Sequence, residues 1–146
     1  MNLYSNSFMD KGDIPMRYTC DGKSINPDLV IVEVPREAKS LALIVDDPDA
    51  PSGRWVHWTV WNIDPATKEI MENEVPPGAV EGATSAKSTG YHGPCPPSGT
   101  HRYFFKLYAV DTLLDLPPGT PFPELERALE EHLVEYAEMM GHYSRG

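Results

Sequence analysis

The run Ser-Leu-Ala-Leu-Ile-Val-Asp-Asp, residues 40–47, constrains the fold most. Leu41 to Val45 is apolar without interruption and is bounded by a serine and an aspartate pair. It is far too short to span a bilayer. A short continuous apolar run between turn signals fits a strand buried on both sides. The segment that follows, DPDAPSG at 47–53, places two prolines and a glycine in seven residues and reads as a rigid loop. WVHWTVWNI at 55–63 then supplies β-branched and aromatic residues throughout, a second strand. Strict alternation puts Trp55, His57, Thr59 and Trp61 on one face, and Val56, Trp58, Val60 and Asn62 on the other.

The remaining chain follows the same pattern. LVIVEVP, residues 29–35, alternates through Leu29, Ile31 and Val34 and reads as a strand after the loop DGKSINPD. Asp64 to Gly99 is long and rich in glycine and proline, an irregular excursion with short strands such as Glu69–Met71. Long connections of this kind in compact domains are often functional. HRYFFKLYAV resumes as a strand, with His101, Tyr103, Phe105 and Leu107 on one face. Leu125, Leu129, Leu133, Tyr136 and Met140 recur at helical steps, which predicts one amphipathic helix over about Glu124–Met140, with Gly141 as its stop. No β-α-β rhythm, glycine-rich dinucleotide motif or phosphate-loop motif occurs. The expectation is one domain over residues 1–146, mainly antiparallel β with a helix near the C-terminus.

Charge and cysteine content narrow the function. Twelve basic residues against 22 acidic ones leave a formal charge of -10, which disfavours nucleic acid and anionic membrane as partners. The N-terminal stretch lacks a basic start followed by an apolar run, so the expected location is cytoplasmic. Cys20 and Cys95 form no Cys-x-x-Cys pair and cannot alone supply a thiolate zinc site. Whether they join in a disulfide stays open.

Asp46, Asp47, Asp49, His57, His101 and Tyr103 fall at strand ends or loop junctions. The aspartates read either as a turn before proline or as a pocket rim that orients a histidine. Pro48 and Pro51 exclude a calcium loop. His101 follows the stiff loop GPCPPSGT, and a donor held in a fixed direction binds without an ordering cost. Gly93, Ser98, Gly99 and Thr100 offer backbone N–H groups for a concave anion nest, with the imidazoles as further donors. The competing reading is a small hydrolase that uses His and Asp, with a metal or with Ser98 near His101. That reading lacks a legible oxyanion arrangement. No cofactor is expected.

LALIVDDPDAPSGRWVHWTVWNI and GYHGPCPPSGTHRYFFKLYAVD together resemble the phosphatidylethanolamine-binding protein family, in its bacterial and archaeal Raf-kinase-inhibitor-like branch. The carrying motifs are Asp-Pro-Asp-x-Pro at 47–51, Trp-x-His at 55–57 and Gly-x-x-Pro-Pro-x-Gly-x-His-Arg-Tyr at 93–103. IPMRYTCDGKSINPDL and ALEEHLVEYAEMMGHYSR extend the likeness over almost the whole chain. The resemblance implies a β-sandwich with a large central antiparallel sheet, a smaller second sheet and a C-terminal helix. It implies a non-catalytic binding module with a small anion pocket for a phosphorylated or carboxylate ligand, built from Asp47, His57, Gly93, Pro97, Gly99, His101 and Tyr103. It further implies cis peptide bonds, with Pro48 and Pro97 as candidates, and homodimer formation. A protein kinase or a protease is the kind of protein partner it brings, with the chain as inhibitor or signalling modulator. Eukaryotic relatives carry a longer C-terminal region that helps close the pocket, so a more open pocket is expected here.

Overall fold

The computed structural model describes residues 1–146. Its central strand is β4, Ser40–Asp47, in which every residue is buried. β4 pairs antiparallel with β5 (Trp55–Ile63) on one side and with β8 (His101–Val110) on the other. β7 (Val80–Glu81) closes the β5 side. β9 (Leu133–Tyr143) runs antiparallel along β8, and β2 (Gly12–Asp13) is added parallel to β9, giving the order β2-β9-β8-β4-β5-β7. A smaller sheet has the order β1-β3-β6, from Asn2–Tyr4, Leu29–Val32 and Glu69–Ile70.

The apolar run of β4 is explained by a layer on each side. Leu41, Leu43 and Val45 face the smaller sheet, packing in one core with Leu29, Ile31 and Ile70 and with Phe105 and Leu107 of β8. Ala42 and Ile44 face the opposite core, with Val110, Leu114 and the helix residues Leu125 and Leu129. Each fully buried leucine or isoleucine contributes about 1.5–3 kcal/mol, so a polar residue anywhere between 41 and 45 would open one of the two cores.

The helix α1 spans Phe122–His132, with Leu125 and Leu129 buried. It ends eight residues earlier than the periodicity predicts. Leu133 turns extended, φ -64° and ψ 126°, and the rest of the apolar stripe becomes β9. The edge of β8 opposite β4 is a long row of N–H and C=O groups that must be satisfied, and β9 pairs with it from Val110↔Leu133 to His101↔Tyr143. That ladder outweighs the helical preference of a segment with Glu, Ala and Met. Tyr136 is therefore exposed against Tyr108, while Met139 is the residue that enters the core. Gly141 is no helix stop. It is buried in β9, where a Cβ would lie 2.5 Å from Ile14 Cγ1 and 2.8 Å from Phe8 Cε2.

The expected cis bonds are corrected as well, for every peptide bond is trans, those before Pro48 and Pro97 included. Hydrogen bonds from the Asp49 amide to Asp47 and from Arg102 to Asp49 hold the Pro48 loop without one.

Candidate functional site

β4 ends where β5 and β8 begin, because the three are antiparallel neighbours. Asp47, Trp55, His57, His101 and Tyr103 are thereby gathered at one end of the large sheet. They line a cleft of about 600 Å³, well inside the range for small-molecule sites. The loop after β4 adds Ala50, Pro51 and Ser52. The long excursion adds Ala86, His92, Gly93, Cys95, Pro96 and Pro97, and the N-terminal part adds Cys20 and Ser24.

The direction of His57 departs from strict alternation. Val45 pairs with Trp58 and Asp46 with Val56, so His57 is the extra residue of a β-bulge. Trp58 packs in the core that faces the smaller sheet, Val56 and Trp61 pack in the opposite core, and His57 joins Trp55 in the cleft. Trp61 thus does not share the histidine's side. A second irregularity opposite Ala42 brings in Asn62 at φ 57°, whose side chain donates to the Leu114 carbonyl at 2.9 Å and accepts from the Leu114 amide at 2.8 Å.

Asp47 fulfils both of its readings. Its Oδ1 accepts the Asp49 amide at 2.7 Å, a turn bond, and its Oδ2 accepts from His101 Nδ1 at 2.6 Å. Asp49 in turn takes the Arg102 side chain from two nitrogens and the Arg102 amide, which holds its pKa down to about 2. The Asp-Pro-Asp loop is in this way pinned to the start of β8. Asp46 points to the other face. It is buried, and its Oδ2 accepts from Arg54 Nε at 2.7 Å and Lys106 Nζ at 2.8 Å.

His57 Nδ1 donates to the His92 carbonyl at 2.7 Å. Burial lowers the His57 pKa, outweighing that carbonyl and the Asp47 charge, which act to raise it. With no anion bound, burial therefore favours neutral His57. Tyr103 lies between the two histidines, edge-on to His57 at 5.4 Å and stacked with His101 at 6.4 Å, centroid to centroid. Its hydroxyl is buried and makes no hydrogen bond to any protein group. An orphaned buried hydroxyl costs about 1–3 kcal/mol, and such groups call for a functional explanation.

Of the residues anticipated for the pocket, Asp47, His57, Gly93, Pro97, His101 and Tyr103 come together at the cleft. Gly99 does not. It sits in an exposed turn at φ 69°, outside the lining. The Gly93 N–H points away from any anion nest, donating to Ser24 Oγ at 3.0 Å. Cys20 and Cys95 are joined in a disulfide, flanked by the Cys20 amide on the Pro94 carbonyl at 3.1 Å and the Tyr91 hydroxyl on the Tyr18 carbonyl at 2.8 Å. The contribution of residues 20–24 to the cleft had no signal in the local sequence. No group of three or more His, Cys, Asp or Glu side chains is arranged to hold a metal ion. No helix is long and apolar enough to cross a membrane.

Residues 4–144 match the family model described as phosphatidylethanolamine-binding protein. A UPF0098 protein of Methanothermobacter thermautotrophicus is 52% identical over 151 residues, covering 100% of both chains. The crystal structure of a putative phosphatidylethanolamine-binding protein homologue, CT736 from Chlamydia trachomatis, superposes with a TM-score of 0.95 at 41% identity, over 99% of this chain and 97% of that one. The structure of E. coli YbcL, described as a new member of the mammalian PEBP family, superposes with a TM-score of 0.93 at 28% identity, over 99% and 98%.

Proposed function

The chain belongs to the phosphatidylethanolamine-binding protein family, and on that premise we propose that it is a binding protein whose cleft holds the anionic head of a small phosphorylated or carboxylate ligand. The observation that carries this reading is the Tyr103 hydroxyl, buried without a partner between two histidines whose Nδ1 atoms are already engaged. Each Nδ1 bond orients its ring, and each Nε2 is left without a protein partner at the cleft. Two imidazole rings are thus oriented in advance on either side of the unpartnered Tyr103 hydroxyl, which lowers the ordering cost of binding. Trp55, Pro51, Pro96 and Pro97 give the cleft apolar walls. Its volume exceeds that of a bare phosphate several-fold, so the ligand carries an apolar portion beside its head.

The hydrolase reading is disfavoured by geometry. Catalysis of that kind needs a nucleophile within hydrogen-bond reach of a base. The side-chain bonds of His57 and His101 go to the His92 carbonyl and to Asp47, and to no hydroxyl. The histidine that does meet one is His92, whose Nε2 lies 2.8 Å from Ser88 Oγ, and Ser88 is exposed and outside the cleft lining. Both cysteines are oxidised.

The test is a histidine-resolved NMR titration with phosphate and O-phosphoethanolamine. The signals of His57 and His101 move together and saturate. Those of His132 and His142, bonded to Asp111 and to the Lys11 carbonyl at the surface, stay in place and serve as internal controls. Equal drift of all these signals, or movement of none, overturns the pocket assignment.

A further inference from the structure

The hydrogen-bonding state of the cleft is more specific than its shape. A carbonyl can only accept, so the 2.7 Å contact from His57 Nδ1 to the His92 carbonyl puts a proton on Nδ1. A neutral ring has one proton to place, which leaves Nε2 as a lone pair. That nitrogen has no protein partner and is not sealed from the cleft. The groups around His57 are Asp47 from β4, the His92 ring and carbonyl from the long loop, and Tyr103 and His101 from β8, while Asp46, turned to the other face of the sheet, acts on it only through its charge. Both carboxylates favour the imidazolium, yet burial is the larger effect and keeps the ring neutral.

The charges lead to the same conclusion. No lysine or arginine lines the cleft, while Asp47 places a carboxylate in it. With Asp47 as the carboxylate of the cleft and no lysine or arginine in its lining, nothing is in place to balance a dianion. At the same time the unpartnered Tyr103 hydroxyl is a donor that calls for an acceptor. The complementary ligand therefore carries one negative charge, accepts hydrogen bonds on one side and donates one on the other.

We infer that the cleft selects a phosphomonoester in its singly charged, still protonated form on an apolar carrier, with His57 Nε2 accepting the hydrogen bond from the ligand's P–O–H. This inference rests on the anion-binding reading proposed above and narrows it. A carboxylate has lost its only acidic proton at neutral pH, and a sulfate ester never holds one there, so neither can satisfy His57.

The experiment is calorimetry on the intact protein with phenyl phosphate, phenyl sulfate and methyl phenyl phosphate, from pH 5.5 to 8. The last two are fixed monoanions that lack the donor, phenyl sulfate matching the shape of the monoester and methyl phenyl phosphate adding one methyl group. Phenyl phosphate binds about tenfold or more tightly than either at pH 6, the penalty for leaving a polar group unpaired. The preference fades as the pH rises past the second phosphate pKa of about 6. At pH 8 its binding takes up about one proton, read from buffers of different ionisation heat. At any one pH the free protein is in the same state for all three ligands, so the ratio of affinities isolates the ligand proton. His57→Phe removes the acceptor and brings the ratio close to one.

Equal binding of all three ligands leaves the anion pocket standing and overturns the selectivity. Binding of none overturns both. Vesicles of phosphatidic acid in phosphatidylcholine separate the sources of this headgroup. Co-sedimentation displaced by phenyl phosphate assigns a lipid phosphomonoester, and its absence beside phenyl phosphate binding assigns a free one. Either result carries the same headgroup chemistry.

Discussion

Replacing both cysteines by alanine removes a crosslink between residues 75 apart in sequence. In the chain-entropy treatment a closed loop of that size raises stability by about 4.5 kcal/mol, through the unfolded ensemble. The native geometry should survive the change. The bonds Cys20 N–H to Pro94 O, Gly93 N–H to Ser24 Oγ and Tyr91 O–H to Tyr18 O hold the two segments together independently of the sulfurs. The unfolding entropy of a chain this long is about 0.3 kcal/mol per degree at the midpoint, which converts the loss into a fall in Tm of about 15 °C. Circular dichroism on melting, together with guanidinium titration, measures both quantities. The m-value should rise, because the uncrosslinked chain exposes more surface on unfolding. Thiol titration of the native parent should find no free thiol. A Tm drop below about 4 °C with an unchanged m-value would refute the reasoning, since it would mean that the crosslink does not restrict the unfolded chain.

Two other perturbations have definite signs. Asp46→Asn strips the charge partner from Arg54 and Lys106. The cost expected by denaturant titration is about 2 kcal/mol, below the range for a fully buried pair because both cations can partly rehydrate. His57 is lowered from a reference value of 6.5, so the unfolded chain binds the proton more readily than the native one. Its contribution is fully present above pH 6.5 and is lost as the pH falls through the lowered native value. The slope of stability between pH 7.5 and 5 should therefore be shallower in His57→Phe than in the parent, and identical slopes would show that His57 is not held neutral by burial.

The sequence made the hairpin of β4 and β5 and the strand β8 legible, because a continuous apolar run and an aromatic alternating run admit few alternatives. Asp47, His57, His101 and Tyr103 were legible as one site only through the resemblance to a family, because periodicity along each strand does not show which strands are neighbours. Three features escaped. Leu125, Leu129, Leu133, Tyr136 and Met140 satisfy a helical period even though the chain changes conformation at Leu133, for the edge of β8 that recruits β9 lies far away in sequence. The bulge at His57 depends on register between two strands, and alternation along one strand cannot reveal it. The Cys20–Cys95 bond and the shared wall of residues 20–24 and 91–97 are products of tertiary proximity alone.

The same bulge has a consequence for how such a protein can change over generations. Position 57 has no cross-strand partner in β4 and packs in neither core. Exchanging its side chain leaves the pairing of Val56 and Trp58 untouched. Deleting the residue restores plain alternation and removes one side of the cleft while the ladder closes up. Ligand preference can drift through that one codon with little demand on the sheet, whereas any change at Val45 or Trp58 is first of all a change in folding.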